Sequence, residues 1–108
     1  MKTTIRLTNK DATPGDSVQG WLFEVDGMPV VVHRPWFGDG RFGKDSWCVS
    51  EPETGILIID YRVRTKVLAM EAASKRLRDA GPARVAELIA SAKAKIAAAA
   101  NGEAVDLL

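Results

Sequence analysis

The sequence has a single thiol, a single imidazole and almost no net charge. Cys48 is the only cysteine and His33 the only histidine. An internal disulfide is therefore excluded, and a tetrahedral zinc site would need unusual help from carboxylates. The formal net charge of +1 gives no global field that attracts nucleic acid or a membrane. Apolar runs such as residues 56–59 are too short to span a bilayer. No apolar signal segment follows Lys2, so we expect a cytoplasmic protein with no membrane partner.

Length and composition indicate one domain with two dissimilar halves. The chain has 108 residues, the size of a single domain. Every aromatic residue lies before residue 65, and almost every alanine lies after it. Aromatic and β-branched residues favour strands, whereas alanine is the strongest helix former. We therefore predict a single α+β domain over residues 1–108, with a strand-rich part at 1–64, a helical part at 65–101 and a tail at 102–108.

The first half predicts an antiparallel sheet of four to five strands. Alternating patterns and β-forming runs place strands at about 3–8, 18–25, 28–34, 46–51 and 56–63. Asp26-Gly27 is a strong hairpin signal, because both central residues of a type I′ turn need positive φ. Pro14-Gly15 predicts a turn in the loop before the second strand. The fifth strand opens with four apolar residues, which predicts a central strand covered on both faces.

The second half predicts two helices, at least one of them packed on the sheet. Thr65 can cap a helix that runs to about Ala80, and Gly81-Pro82 is typical of a helix end followed by a helix start. The apolar stripe of the first helix consists of Val67, Met70, Ala73, Leu77 and Ala80. The predicted core comprises Trp21, Phe23, Leu57, Ile59, Val67, Met70 and Leu77.

The second helix has an apolar side made mostly of alanine, with Val85, Leu88, Ile89 and Ile96 as its larger residues. Such a side buries little area per residue, and small side chains let two helix backbones approach closely. Two interpretations stay open. The helix forms a homodimer through residues 82–100, or it folds back across the sheet of its own chain.

The segment GDGRFGKD, residues 38–45, matches two nucleotide-binding patterns, G-x-G-x-x-G and most of a P-loop. Both patterns need a helix that begins directly after the glycines, so that its N-terminus faces the phosphates. Here Asp45 replaces the hydroxyl residue of the P-loop, and the strand-like SWCVSE follows. We therefore expect no nucleotide binding and predict no cofactor.

Aromatic and basic residues surround this glycine-rich loop. Aromatic residues and arginine carry much of the binding energy in protein interfaces, and loops held on a rigid sheet often bind partners. We therefore predict a non-enzymatic binding protein. Its predicted partner-binding residues are Arg34, Trp36, Phe37, Arg41, Phe42 and Lys44. The simpler alternative is a loop that only connects two strands.

One His–Cys pair is the only candidate for catalysis. His33 and Cys48 become neighbours if the third and fourth strands pair, and an imidazole can activate a thiol as a nucleophile. The spacing indicates no third orienting group, and inert buried thiols are common. We therefore expect a histidine on an edge strand, a half-buried thiol and no enzymatic activity.

A basic step leads from the fifth strand into the first helix and contains Arg62, Arg64 and Lys66. With Thr65 and the Ala-rich helix after it, this step resembles the last strand and helix of double-stranded-RNA-binding domains, where a hydroxyl residue and lysines touch phosphates. The resemblance implies a nucleic-acid-binding module as the alternative function. The basic step would then contact phosphates together with Arg41 and Lys44 of the glycine-rich loop.

Residues 47–78 run from WCVSEPETGILI through the Ala-rich helix. Their strand–turn–strand–helix pattern resembles that of small accessory proteins of temperate phages and prophages. Many such proteins are single-domain binders of host machinery, including inhibitors of CRISPR and other defence complexes. The resemblance therefore implies a phage-encoded inhibitor or modulator of a host protein complex, and it supplies no site residue.

Overall fold

The structure is a computed structural model that describes residues 1–35 and 46–107, with the side chains of residues 60–62 excepted. Five strands form one antiparallel sheet in chain order: β1 (Lys2–Thr8), β2 (Pro14–Val25), β3 (Met28–His33), β4 (Trp47–Ser50) and β5 (Leu57–Val63). Two helices follow, α1 (Lys66–Ala80) and α2 (Pro82–Ala100). The predicted α+β class is confirmed, with five antiparallel strands and a helix packed on the sheet.

Local turn and cap signals lie where the sequence predicts them. Asp26 and Gly27 have φ angles of 51° and 84°, as a type I′ turn between β2 and β3 requires. The hydroxyl of Thr65 caps α1 by accepting a hydrogen bond from the backbone N–H of Leu68 at 3.1 Å. Gly81 ends α1 with a φ of 85° and directly precedes α2. These short-range signals fix the element boundaries.

The connection between β1 and β2 differs from the predicted one. β2 begins at Pro14, which pairs with Thr8, so the turn predicted at Pro14-Gly15 is wrong. The chain reverses earlier, within residues 9–13. There the carboxylate of Asp11 accepts a hydrogen bond from the backbone N–H of Thr13 at 3.2 Å, and Ala12 takes a φ of 66°. An aspartate that binds the backbone two residues on replaces a backbone turn, which explains the earlier reversal.

The sheet curls until its two sides meet. β1 forms one edge of the sheet and the β4–β5 turn (residues 51–56) lies at the far side, yet the backbone N–H of Thr8 donates to the carbonyl of Gly55 at 3.1 Å. A Cβ atom on Gly55 would lie 2.0 Å from the carbonyl oxygen of Arg6, and Gly55 has a φ of 71°. Only glycine fits so close to another backbone at that angle.

Apolar clusters lie on both faces of the curled sheet. The larger one joins the sheet to both helices. Its residues are Val25, Val30, Val32, Val49, Ile59, Ala69, Ala73, Leu77 and Val85. The smaller one comprises Ile5, Val18 and Val31, with Leu7 and Leu22 beside it. Val31 alternates with Val30 and Val32, so β3 is the strand that is buried on both faces. The prediction of β5 as a covered central strand is wrong, because β5 forms an edge and Leu57 is 51% exposed.

α1 packs on the sheet through a stripe different from the predicted one. Its buried residues are Ala69, Ala73 and Leu77, each four positions after the last. Val67 is 62% exposed, because two residues correspond to about 200° around a helix and turn it away from Ala69. Of the predicted core, Ile59 and Leu77 are buried and Phe23 and Met70 are half-buried. The prediction is wrong for Trp21, Leu57 and Val67, which are exposed.

α2 folds back on its own chain, as one of the two interpretations had it. Val85 and Ala92 are its buried residues. The ammonium of Lys93 lies 2.6 Å from the carboxylate of Glu53 in the β4–β5 turn. Beyond the helix, the backbone N–H of Leu107 donates to the carbonyl of Lys10 at 2.9 Å. Within the described residues, neither helix contains a stretch long and apolar enough to cross a membrane.

Candidate functional site: two tryptophans between two cations

Two tryptophans meet on the helix-covered face of the sheet. Trp21 of β2 and Trp47 of β4 have ring centroids 5.9 Å apart and an interplanar angle of 65°, an edge-to-face arrangement. Trp21 pairs with Val32 across β2 and β3, and Val32 pairs with Val49 two residues after Trp47. The central strand β3 therefore brings together two rings that are 26 positions apart in the sequence. Such aromatic pairs contribute about 0.5–1.5 kcal/mol beyond the area that they bury.

Each tryptophan carries a cation on its ring. The guanidinium carbon of Arg34 lies 3.9 Å from the ring centroid of Trp47, and the ammonium of Lys66 lies 4.2 Å from that of Trp21. Arg34 directly follows β3 and also donates to the backbone carbonyl of Ser46 at 3.1 Å. Cation–π contacts of this kind hold a charged side chain in one place, at about 0.5–1 kcal/mol each where water has access. We call these four residues the tryptophan–cation cluster.

The charged side chains of the tryptophan–cation cluster are both positive. Lys66 is the first residue of α1, and the first turn of this helix contains no acidic residue. The N-terminus of a helix is itself positive, so the ring of Trp21 offsets an unfavourable position for Lys66. Lys2 of β1 lies directly across from Trp21 in the strand register. Among the described residues, the cluster therefore combines apolar rings with positive charges.

The tryptophan–cation cluster is at the molecular surface. Trp21 is 37% exposed, while Trp47, Arg34 and Lys66 are half-buried. The next residues of α1 add apolar surface, because Val67 and Leu68 are also exposed. A partner that docks here would cover aromatic, aliphatic and cationic groups together.

The structure brings together one residue from each of the two predicted sites. Arg34 belongs to the predicted partner-binding set and Lys66 to the predicted nucleic-acid set, and both stack on the same tryptophan pair. Arg64 is exposed just before the cap of α1. Outside the described part of the structure lie Trp36, Phe37, Arg41, Phe42 and Lys44, together with the side chain of Arg62.

Sequence reasoning missed the two tryptophans as site residues. Trp21 was assigned to the core because it alternates with buried residues of β2, and Trp47 carried no assignment. The signal that could have found them is the strand register, since a β2–β3–β4 meander with the Asp26-Gly27 turn places residues 21 and 47 one strand apart. The segment that follows the glycine-rich loop forms a strand rather than a helix, as predicted. This strand, β4, begins at Trp47.

A second polar cluster is buried on the opposite face. His33 pairs with Cys48 across β3 and β4, and the Sγ of Cys48 lies 3.4 Å from Nδ1 of His33. Nδ1 is also 2.9 Å from the carbonyl oxygen of Arg34, and Nε2 is 2.8 Å from the hydroxyl of Ser50. This network assigns the proton to Nδ1, which donates to the carbonyl, while Nε2 accepts from the serine.

The buried histidine cluster has the geometry of a packed interior. His33, Cys48 and Ser50 are 1%, 2% and 0% exposed, so the described structure buries the thiol. Burial lowers the pKa of His33 and keeps the ring neutral. The predicted strand neighbourhood is confirmed. The expected edge strand and half-buried thiol are wrong, because β3 is central and the curled sheet covers both residues.

Comparisons of the chain with protein-family models, with curated proteins and with solved structures found no match.

Proposed function

We propose that this chain is a non-enzymatic binding protein that engages another protein through the tryptophan–cation cluster. One observation carries the proposal: the exposed edge-to-face tryptophan pair holds Arg34 and Lys66 stacked on its rings. Tryptophan and arginine are the residues most enriched in binding hot spots. Because rings and cations already hold one another, docking costs less side-chain entropy than it would with mobile side chains.

The glycine-rich loop extends the proposed interface. Arg34 lies two residues before this segment and donates to the carbonyl of Ser46, the first described residue after it, at 3.1 Å, so the described residues on either side lie at the tryptophan–cation cluster. Its predicted binding residues are Trp36, Phe37, Arg41, Phe42 and Lys44. The resemblance of residues 47–78 to phage accessory proteins supports a host protein complex in the cytoplasm as the partner, with a defence complex of the CRISPR type as the specific candidate for inhibition.

The homodimer through residues 82–100 stays a prediction. Val85 and Ala92 are used within the chain, whereas Leu88 is 49% exposed. The apolar side left for a second copy is therefore smaller than the sequence alone indicates. Sedimentation at micromolar concentration measures the oligomeric state directly.

A nucleic-acid-binding module is the second candidate. Lys66 and the exposed Arg64 flank the capped N-terminus of α1, where backbone N–H groups favour anions. Exposed tryptophan rings also stack on bases in proteins that bind single strands. Salt separates the two candidates, because phosphate contacts make affinity fall steeply with salt and an aromatic protein interface is less sensitive.

Substitution of the cluster tests the proposal. We expect wild-type protein to recover a partner from nuclease-treated host lysate, and we expect Trp21→Ala and Arg34→Ala to lose it. Hot-spot truncation costs about 2 kcal/mol or more, which is more than a tenfold loss of affinity. Arg84→Ala is the matched control, since Arg84 is exposed on α2 and pairs with Glu87 away from the cluster. Circular dichroism checks that every variant is folded.

Two results would contradict the proposal. Recovery of the same partner by Arg34→Ala and Trp21→Ala would show that the tryptophan–cation cluster is not the interface. A partner that disappears on nuclease treatment, with tight binding of a single-stranded oligonucleotide at low salt only, would establish the nucleic-acid module instead.

A further inference from the structure

A groove of about 690 Å³ lies between α2 and the sheet. Its walls come from the start of β3, the β4–β5 turn, the C-terminal half of α1 and the N-terminal two-thirds of α2, and Leu107 of the tail lines it as well. Sites for small molecules typically have volumes of about 300–1,000 Å³ and predominantly apolar walls. The groove therefore has the size of a small-molecule site. None of its lining residues belongs to the tryptophan–cation cluster.

The walls of the groove expose large apolar side chains. Leu57 of β5 is 51% exposed and Leu88 of α2 is 49% exposed, and both line the groove with the half-buried Ile89. From α2, the apolar residues that line the groove are Val85, Leu88, Ile89 and Ala92. Covering two such leucines with an apolar ligand is favourable by about 25 cal/mol for each Å² removed from water.

The two carboxylates that line the groove, those of Glu51 and Glu53, already have partners. Glu51 accepts hydrogen bonds from the backbone N–H groups of Glu53 and Thr54 at 2.7 and 2.6 Å, and Glu53 pairs with Lys93 at 2.6 Å. Both carboxylates of the lining are therefore engaged.

The cations that line the groove are Arg76 and Lys95. Arg76 donates to the carbonyl of Ile58 at 2.7 Å. Neither cation has a carboxylate within 4.0 Å in the described part of the chain. The groove thus combines apolar walls with two cations that have no ion-pair partner among the described residues, beside the hydrogen-bonded carboxylate of Glu51.

We infer that this groove binds a small amphipathic anion, with its carboxylate at Lys95 and its acyl or aromatic body along Leu57 and Leu88. The two cations of the groove favour an anionic ligand over a second copy of the chain. A two-fold dimer through the groove would bring the same two cations of each copy toward one another, which is unfavourable. The inference is independent of the proposed protein-binding function, because it uses other residues.

Calorimetry with decanoate tests the inference, with decan-1-ol as the uncharged probe of the same chain length. We expect saturable one-to-one binding of decanoate to the wild-type protein and weaker binding of the alcohol. Lys95→Gln should weaken decanoate binding about tenfold, the effect of losing one charge-assisted hydrogen bond, and leave alcohol binding unchanged. Lys75→Gln is the matched control on the exposed side of α1, and it should leave decanoate binding unchanged because neither Lys75 nor its partner Asp79 lines the groove.

Several outcomes would overturn the inference. They are the absence of saturable decanoate binding, equal affinity for decanoate and decan-1-ol, and equal weakening by Lys75→Gln and Lys95→Gln. A wild-type dimer that becomes a folded monomer in Leu88→Lys would also overturn it, because a second copy would then cover the groove. Trp21→Ala should bind decanoate like the wild type, so failure of this site and failure of the protein interface are distinguishable.

Discussion

His33 illustrates how a single polar side chain can be accommodated in an apolar interior. Both ring nitrogens have partners, Nδ1 at the carbonyl of Arg34 and Nε2 at the hydroxyl of Ser50. A buried polar group without partners costs about 1–3 kcal/mol, so the register of β3 and β4 matters for this residue. A neutral histidine can satisfy both contacts. A protonated one would turn Nε2 from an acceptor into a donor.

Stability should therefore fall when the solution is acidified below about pH 6.5. In the unfolded chain the pKa of His33 is near 6.5, and burial lowers it in the folded protein. Above pH 6.5 both states are neutral and His33 contributes no pH dependence. Below it the unfolded state binds the proton first, so the free energy of unfolding falls by up to about 1.4 kcal/mol per pH unit until the folded pKa is reached.

Urea unfolding at pH 7.5 and pH 5.5 measures this loss. His33→Gln is the control, and since the chain has one histidine, the difference between the two pH values should shrink in that variant. Equal pH dependence in both proteins would show that the buried imidazole does not cause it.

At the scale of elements, α1 shows what the sequence can and cannot predict. Its ends follow from Thr65 and Gly81, which act on neighbouring backbone groups. Its buried face was predicted from a 3–4 spacing that began at Val67 and passed over Ala69, and only Ala73 and Leu77 of that stripe are buried. The structure buries Ala69 at 0%, because a small residue lets the helix approach the sheet closely. That preference depends on the opposite surface and is not encoded in the helix itself.

The same limit applies to the candidate site. Arg34 and Lys66 were predicted as candidate binding residues from their type and their place beside a loop and a helix cap. The pairing of Trp21 with Trp47 depends on three strands in register and so requires the tertiary fold. Local patterns predict elements, whereas the site arises between elements.

Truncation on α1 should reveal its buried face. Leu77 is 6% exposed, so Leu77→Ala should lower the free energy of unfolding by about 2–5 kcal/mol through lost burial and a cavity. Val67→Ala is the control on the exposed side, with an expected change within about 0.5 kcal/mol. Urea denaturation of both variants measures the difference. Similar losses of unfolding free energy in the two variants would mean that α1 presents a different face to the sheet.

At the scale of the whole molecule, closure of the curled sheet depends on one glycine. Gly55→Ala should destabilise the protein by about 2–5 kcal/mol, because positive φ strains alanine and the added Cβ would clash with the carbonyl of Arg6. Gly27→Ala separates the two causes. Gly27 has a φ of 84° and open space around it, so its loss should be only about 1–2 kcal/mol. Thermal or urea unfolding gives both values, and an equal loss would contradict the close approach.

The contact that closes the sheet also sets an order for folding. Every strand pair joins neighbours in the chain, and the longest connection runs from residue 34 to 46, so the contacts of the meander are local in sequence and cost little loop-closure entropy. The seam between Thr8 and the β4–β5 turn joins residues 47 positions apart through the Thr8 N–H and hydroxyl, which donate to Gly55 and Thr54. Opening this seam leaves every strand pair intact. The seam is therefore the last part of the sheet to form and the first to open, a local unit below the global unfolding threshold.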